Sequence, residues 1–170
     1  YGPVHINVPF REPLLIDFCD LPKLRYQGNI LNDCSLSEEA KHVLQNAITE
    51  TRKGIFIVGE LALNTDVDHI WALIRHAKWP VIVESLSNMR GSIPQDCMPY
   101  VISTYDAILK NAAFKKAIAP NTVIRFGAQP VSKFLSIFIT ESNPENYIIV
   151  DEDPMFRDST SMATSFIHAK

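Results

Sequence analysis

Glycine is scarce, with six in 170 residues. None falls in a G-x-G-x-x-G, G-x-x-x-x-G-K-[ST] or G-x-S-x-G pattern. The backbone signatures of dinucleotide binding, of a phosphate-cradling loop and of a serine nucleophile elbow are therefore missing. Cysteine is rarer still: Cys19, Cys34 and Cys97 stand far apart, with no C-x-x-C. Such spacing excludes a thiolate metal site and points to free thiols in a reducing compartment, the cytoplasm. Long apolar runs are absent. Ile55 to Val58 is strand-length, whereas a membrane span needs ~20 residues. No basic run exceeds Lys115-Lys116, and 16 Lys+Arg against 19 Asp+Glu leave a net charge of −3. That excludes a nucleic-acid footprint. Five histidines are scattered. His69 and His76 could share a helix face, but no third ligand is in register, so no metal site is expected.

What remains is ordinary for a folded domain. A hydrophobic fraction of 46% is too high for a disordered chain, and 170 residues suit one domain, or one domain with a tail. The chain opens on Tyr1-Gly2-Pro3 in mid-pattern and is expected to be a piece of something longer.

Two hydrophobic periods alternate along it. Val4 to Val8 alternates and is broken by Pro9, which predicts a short strand. Residues 13–35 mix Pro13, Pro22, Gly28 and Asn32 with apolar residues and read as a linker. Ser35-x-x-Glu38 reads as a capping box. The helix it opens carries Ala40, Val43, Leu44, Ala47 and Ile48, and Arg52, Lys53 and Gly54 close it. Ile55 to Val58 is a continuous apolar strand, the mark of burial on both faces in a parallel sheet. A helix capped by Thr65 or Asp66 follows, then a strand Val81 to Val83 and a loop from Ser85 to Pro99. Short helical pieces are expected over Tyr105 to Lys110 and Phe114 to Ile118. A strand Thr122 to Phe126, a helix Pro130 to Phe138, a strand Tyr147 to Val150 and a last strand from Ser165 complete the pattern. The fold class is α/β, a Rossmann-like doubly wound, mainly parallel sheet without its glycine motif.

Such sheets present ligands at the carboxyl ends of their strands. Those loops are Gly59-Glu60, Glu84-Ser85, Gly127-Ala128-Gln129 and Asp151-Glu152. With no catalytic motif in them, the plain expectation is a scaffold or interface domain. One loop is chemically odd. Pro130 suits the first helical position, which puts Lys133 in the first turn, where the helix dipole disfavours a cation. A lysine beside free backbone N–H groups can hold an anion, with Ser132 next to it. The alternative is a solvated lysine on an exposed face.

Gly2-Pro3-Val4-His5-Ile6-Asn7-Val8-Pro9-Phe10-Arg11-Glu12-Pro13-Leu14 resembles the segment that ends the pyrimidine-binding domain of thiamine-diphosphate enzymes. Phe-Arg-Glu-Pro-Leu is the variant of the menaquinone-biosynthesis synthases within them. Trp79-Pro80-Val81, Glu84-Ser85-Leu86-Ser87, Arg125-Phe126-Gly127, Pro130-Val131-Ser132-Lys133 and Tyr147 to Asp151 are similar to their middle domain. The resemblance implies a transferase of three domains, of which residues 1–12 end the first, 13–35 link, and 36–170 form the central one. It implies decarboxylation of 2-oxoglutarate and addition of the succinyl unit to isochorismate. Thiamine diphosphate and Mg²⁺ are expected in the domains absent here, and none in this piece, which alone is expected to be inactive. Residues 1–12, cut from their own sheet, are expected to pack opportunistically. Lys133, with Ser132, matches a middle-domain position that contacts a substrate carboxylate. Some relatives follow that lysine with arginine; here Phe134 stands, leaving one cation. Arg90 and Lys116 are candidates for a dihydroxynaphthoate effector. The resemblance implies the flanking domains and further copies of the full-length chain as partners. The competing reading is a non-catalytic α/β domain whose anion-binding loop serves regulation or partner contact.

Overall fold

A computed structural model of the chain describes residues 5–7, 9, 35–155 and 157–169. The chain divides into two units, 1–33 and 34–170, and every helix and strand described belongs to the second. The strand expected over Val4 to Val8 and the linker expected over 13–35 fall mostly outside the described residues. Residues 5–7 are exposed and belong to no strand.

The chain runs through helix α1 (Glu38–Glu50), strand β1 (Gly54–Val58), helix α2 (Val67–Ala77) and strands β2 (Val81–Val83) and β3 (Val101–Ile102). Helices α3 (Tyr105–Ile108) and α4 (Ala112–Ile118), strand β4 (Thr122–Phe126), helix α5 (Lys133–Ser142) and strands β5 (Asn146–Asp151) and β6 (Ser165–His168) follow. The six strands form one sheet in the order β3-β2-β1-β4-β5-β6, every pair parallel. The expected α/β architecture is the observed one.

Parallel pairing with helices on both sides requires both faces of each central strand to be apolar. Phe56, Val58, Val81, Val83, Ile124 and Phe126 face Ala40, Leu44 and Ala47 of α1 and Ile70, Trp71 and Ile74 of α2. Ile55, Ile57, Ile82, Val123, Tyr147 and Ile149 face Tyr105 and Leu109 and the α5 residues Leu135, Phe138 and Ile139. Each buried side chain of this size contributes roughly 1.5–3 kcal/mol. By the period of two, Arg125 points with Val123 to the α5 side.

Three boundaries and one strand differ from the sequence reading. Ser37, not Ser35, caps α1: its hydroxyl accepts the Ala40 N–H at 3.1 Å. Gly54 does not end that helix but begins β1, because a Cβ there would lie 2.3 Å from the Trp79 ring. Helix α5 starts at Lys133 rather than Pro130, since the Ser132 hydroxyl accepts the Leu135 N–H at 3.1 Å and so fixes the cap. Its buried face is accordingly Leu135, Phe138 and Ile139, while Val131 and Phe134 are exposed. Strand β3 lies beside the expected loop and was not anticipated.

Candidate functional site at the carboxyl edge of the sheet

The strand order reverses between β1 and β4, the place where open α/β sheets leave a ligand crevice. Here backbone fills it. Gly59 N–H donates to the Phe126 carbonyl, and Ala128 N–H donates to the Glu60 carbonyl, both at 2.9 Å. A Cβ on Gly59 would lie 2.0 Å from the Ala128 oxygen, and one on Gly127 2.3 Å from the Glu60 oxygen. Gly127 also has φ +74°, which glycine alone adopts freely. Two of the few glycines thus let two loops close on each other, where a dinucleotide fold uses glycine to admit a pyrophosphate. Helix α2 begins only at Val67, so its N-terminus does not follow β1 directly.

The loop after β4 is held from both sides. Pro130 is buried, and the Ser132 hydroxyl donates to Asp106, tying the α5 cap to α3. Lys115 of α4 pairs with Glu141 of α5. Lys133, the first residue of α5, is exposed and has no hydrogen bond or ion pair to the described residues. Phe134 beside it carries the Lys110 ammonium 5.1 Å from its ring centre, a cation–π contact. A second cation therefore reaches the first turn of α5 from the α3–α4 turn, although the sequence left only one there.

Beneath this loop Arg125 is wholly buried. Its Nη1 donates to Gln129 Oε1 at 2.6 Å and to the Tyr147 hydroxyl at 2.9 Å, and its Nη2 donates to the Arg157 carbonyl. Burial pushes the Tyr147 phenol up to about 12 against the opposing pull of Arg125. Asp158 opposes its own burial by accepting Thr160 Oγ1 and the amides of Thr160, Met162 and Ala163, and its carboxyl is held below the usual range. Arg157 grips the buried Asp151 at the end of β5 through Nε at 3.0 Å and Nη2 at 2.6 Å.

A family described as "Middle domain of thiamine pyrophosphate" matches residues 29–170. The chain belongs to that family. The chain is 55% identical over 99% of its length to a 2-succinyl-5-enolpyruvyl-6-hydroxy-3-cyclohexene-1-carboxylate synthase from Lysinibacillus sphaericus. It is 34% identical over 98% of its length to a synthase of the same name from Bacillus velezensis, and 33% over 99% to one from Geobacillus thermodenitrificans. It spans about 30% of the length of these relatives.

The middle domain keeps the two effector candidates on separate elements. Arg90 is exposed in a short 3-10 segment, Asn88–Gly91, and donates to the Ser103 carbonyl at 3.4 Å. Lys116 is exposed on α4. No hydrogen bond or ion pair joins them. Near Arg90, the carboxylate of Glu84 is buried at the end of β2, accepting the Leu86 amide at 3.1 Å and facing the Tyr105 hydroxyl at 3.4 Å. Burial, followed by that carboxylate, pushes Tyr105 up to about 12.

Between α1 and α2 a cleft of about 610 Å³ opens over Leu44, Ile48, Leu61, Ile70 and Phe126. Its cations Lys41 and Arg157 are already paired, with Glu38 and with Asp151. Neither the cleft nor the closed crevice offers a diphosphate cradle. Among the described residues no group of three His, Cys, Asp or Glu could hold a metal, and no helix is long and apolar enough to cross a membrane. With backbone closing it, the crevice between β1 and β4 does not fit the diphosphate of thiamine diphosphate.

Sequence reading picked out Lys133 and its loop but missed Arg125. The signal was there: one arginine inside the apolar run Thr122 to Phe126.

Proposed function

We propose that this chain is the central domain of a thiamine-diphosphate- and Mg²⁺-dependent transferase of menaquinone biosynthesis, a 2-succinyl-5-enolpyruvyl-6-hydroxy-3-cyclohexene-1-carboxylate synthase. On this reading the full-length enzyme is cytoplasmic and homo-oligomeric. It decarboxylates 2-oxoglutarate and joins the succinyl unit to isochorismate. Thiamine diphosphate supplies the carbanion chemistry in the flanking domains, and no step of it falls to residues of this chain. The central domain spaces those domains and lends one substrate contact.

The observation that carries the reading is the 55% identity over 99% of this chain to a synthase of that name, and the substrate contact is assigned to Lys133. Its ammonium is exposed and unpartnered among the described residues, at the first position of α5. There the helix N–H groups and the lysine act together on an anion. Both substrates are dicarboxylates. Ser132 contributes by fixing the cap, since its hydroxyl already serves Leu135 and Asp106. Arg90 and Lys116 remain the candidates for a dihydroxynaphthoate effector. The alternative of a non-catalytic regulatory domain shares the anion loop but predicts no turnover.

The test is an assay of the full-length protein beside this segment alone. The full-length protein is expected to consume 2-oxoglutarate and isochorismate only with thiamine diphosphate and Mg²⁺. The segment is expected to be inactive and to give no binding heat with the cofactor by calorimetry. A full-length protein without turnover, or a saturable isotherm from the segment, contradicts the reading.

A further inference from the structure

Arg125 is the one charged residue among the largest fully buried side chains. No carboxylate lies within ion-pair distance of it among the described residues. Its direct hydrogen-bond partners are neutral, an amide oxygen, a phenol and a backbone carbonyl, and the Asp158 carboxylate acts on its charge only from beyond ion-pair distance. Arg125 Nε and Gln129 Nε2 are buried donors with no hydrogen-bond partner among the described residues. Stability alone does not account for this arrangement. An apolar side chain of similar volume is often as stable as a buried charge or more so, and the neighbours on this face, Val123 and Ile149, are apolar.

The three partners explain what the charge does. Gln129 lies on the loop that leads to Lys133, Tyr147 on the adjacent strand β5, and Arg157 on the loop between β5 and β6. One rigid planar fork thus joins two edge loops to the sheet. Arg157 and Asp158 pass the restraint on, to Asp151 and to the amides of 160–163.

We infer that Arg125 is a positioning residue, a buried clamp that holds the loop of Gly127 to Ser132, and with it Lys133, in fixed relation to the β5–β6 loop. The inference rests on the reading of Lys133 for its kinetic consequence but not for its structural one, and the experiment separates the two.

The full-length enzyme is made as Arg125→Met with Tyr147→Phe, so that no hydroxyl is orphaned, and as Arg125→Lys. The apolar pair is expected to raise the KM of the substrate that depends on Lys133 by about tenfold, with kcat within about twofold and the other KM unmoved. Arg125→Lys, which keeps the charge but loses the fork, falls between. In a Lys133→Ala background the apolar pair adds less than about twofold. An equal effect with and without Lys133, or none, overturns the clamp as a positioner of that lysine. Amide hydrogen exchange is the second readout. Exchange over 127–132 and 158–163 is expected to quicken in the apolar pair while α1 stays protected, and unchanged exchange overturns the clamp outright. Should Lys133→Ala alone move neither KM, the reading of Lys133 fails and exchange still decides Arg125. Should α1 lose protection, Gln129→Ala removes one arm without emptying the sheet. It is expected to quicken exchange over 127–132, and no change there overturns the clamp.

Discussion

Tyr147 lies wholly inside the domain, its hydroxyl 2.9 Å from a guanidinium and its phenol pushed up to about 12. Burial disfavours the phenolate more than Arg125 favours it. The folded state therefore keeps a proton that the unfolded chain gives up near the ordinary tyrosine value of about 10. Stability from this group is complete below about pH 10 and falls as pH rises toward 12, by up to roughly 1.4 kcal/mol per unit. Tyr147→Phe is expected to flatten that loss: urea unfolding at pH 9, 10 and 11 should show wild type declining more steeply than the variant. Parallel declines would count against the assignment. Lys133 was legible at this scale because a lysine after Pro-Val-Ser stands out locally. The clamp was not, because the partners of Arg125 lie 4, 22 and 32 residues away and only the sheet brings them together.

Among the elements, β1 shows where local rules mislead. A glycine after Arg52-Lys53 has the form of a helix cap, yet α1 ends at Glu50 and Gly54 is the first residue of the strand. Its reason is tertiary, the Trp79 ring packed against its Cα. Gly54→Ala is therefore expected to destabilise the domain by about 1–3 kcal/mol, as overpacking does. A thermal unfolding midpoint equal to or above wild type would contradict this. Helix α5 repeats the lesson: Pro130 signals a start, and the bond of the Ser132 hydroxyl to the Leu135 amide moves it to Lys133. The short continuous apolar runs, by contrast, named β1, β2, β4 and β5 correctly, since burial on both faces leaves a continuous signature. Two residues of β3 carry too little pattern to be read.

For the molecule as a whole, the missing glycine motif and the closed crevice between β1 and β4 are two views of one fact. Gly59 and Gly127 bring backbone onto backbone where a nucleotide-binding sheet makes room. The sequence foreshadowed the lack of a motif, but not that loops would occupy the space, because that depends on the β1–β4 adjacency. What the carboxyl edge keeps is the Lys133 loop, braced by Asp106 through Ser132 and by Arg125 through Gln129. The most direct measurement is steady-state kinetics of Lys133→Ala in the full-length enzyme, varying each substrate in turn. A hydrogen bond to a charged group is worth roughly 1.5–3 kcal/mol, so the KM for isochorismate should rise roughly 10- to 150-fold, with folding intact. Unchanged KM and kcat for both substrates would contradict the account and leave Lys133 a solvated surface residue.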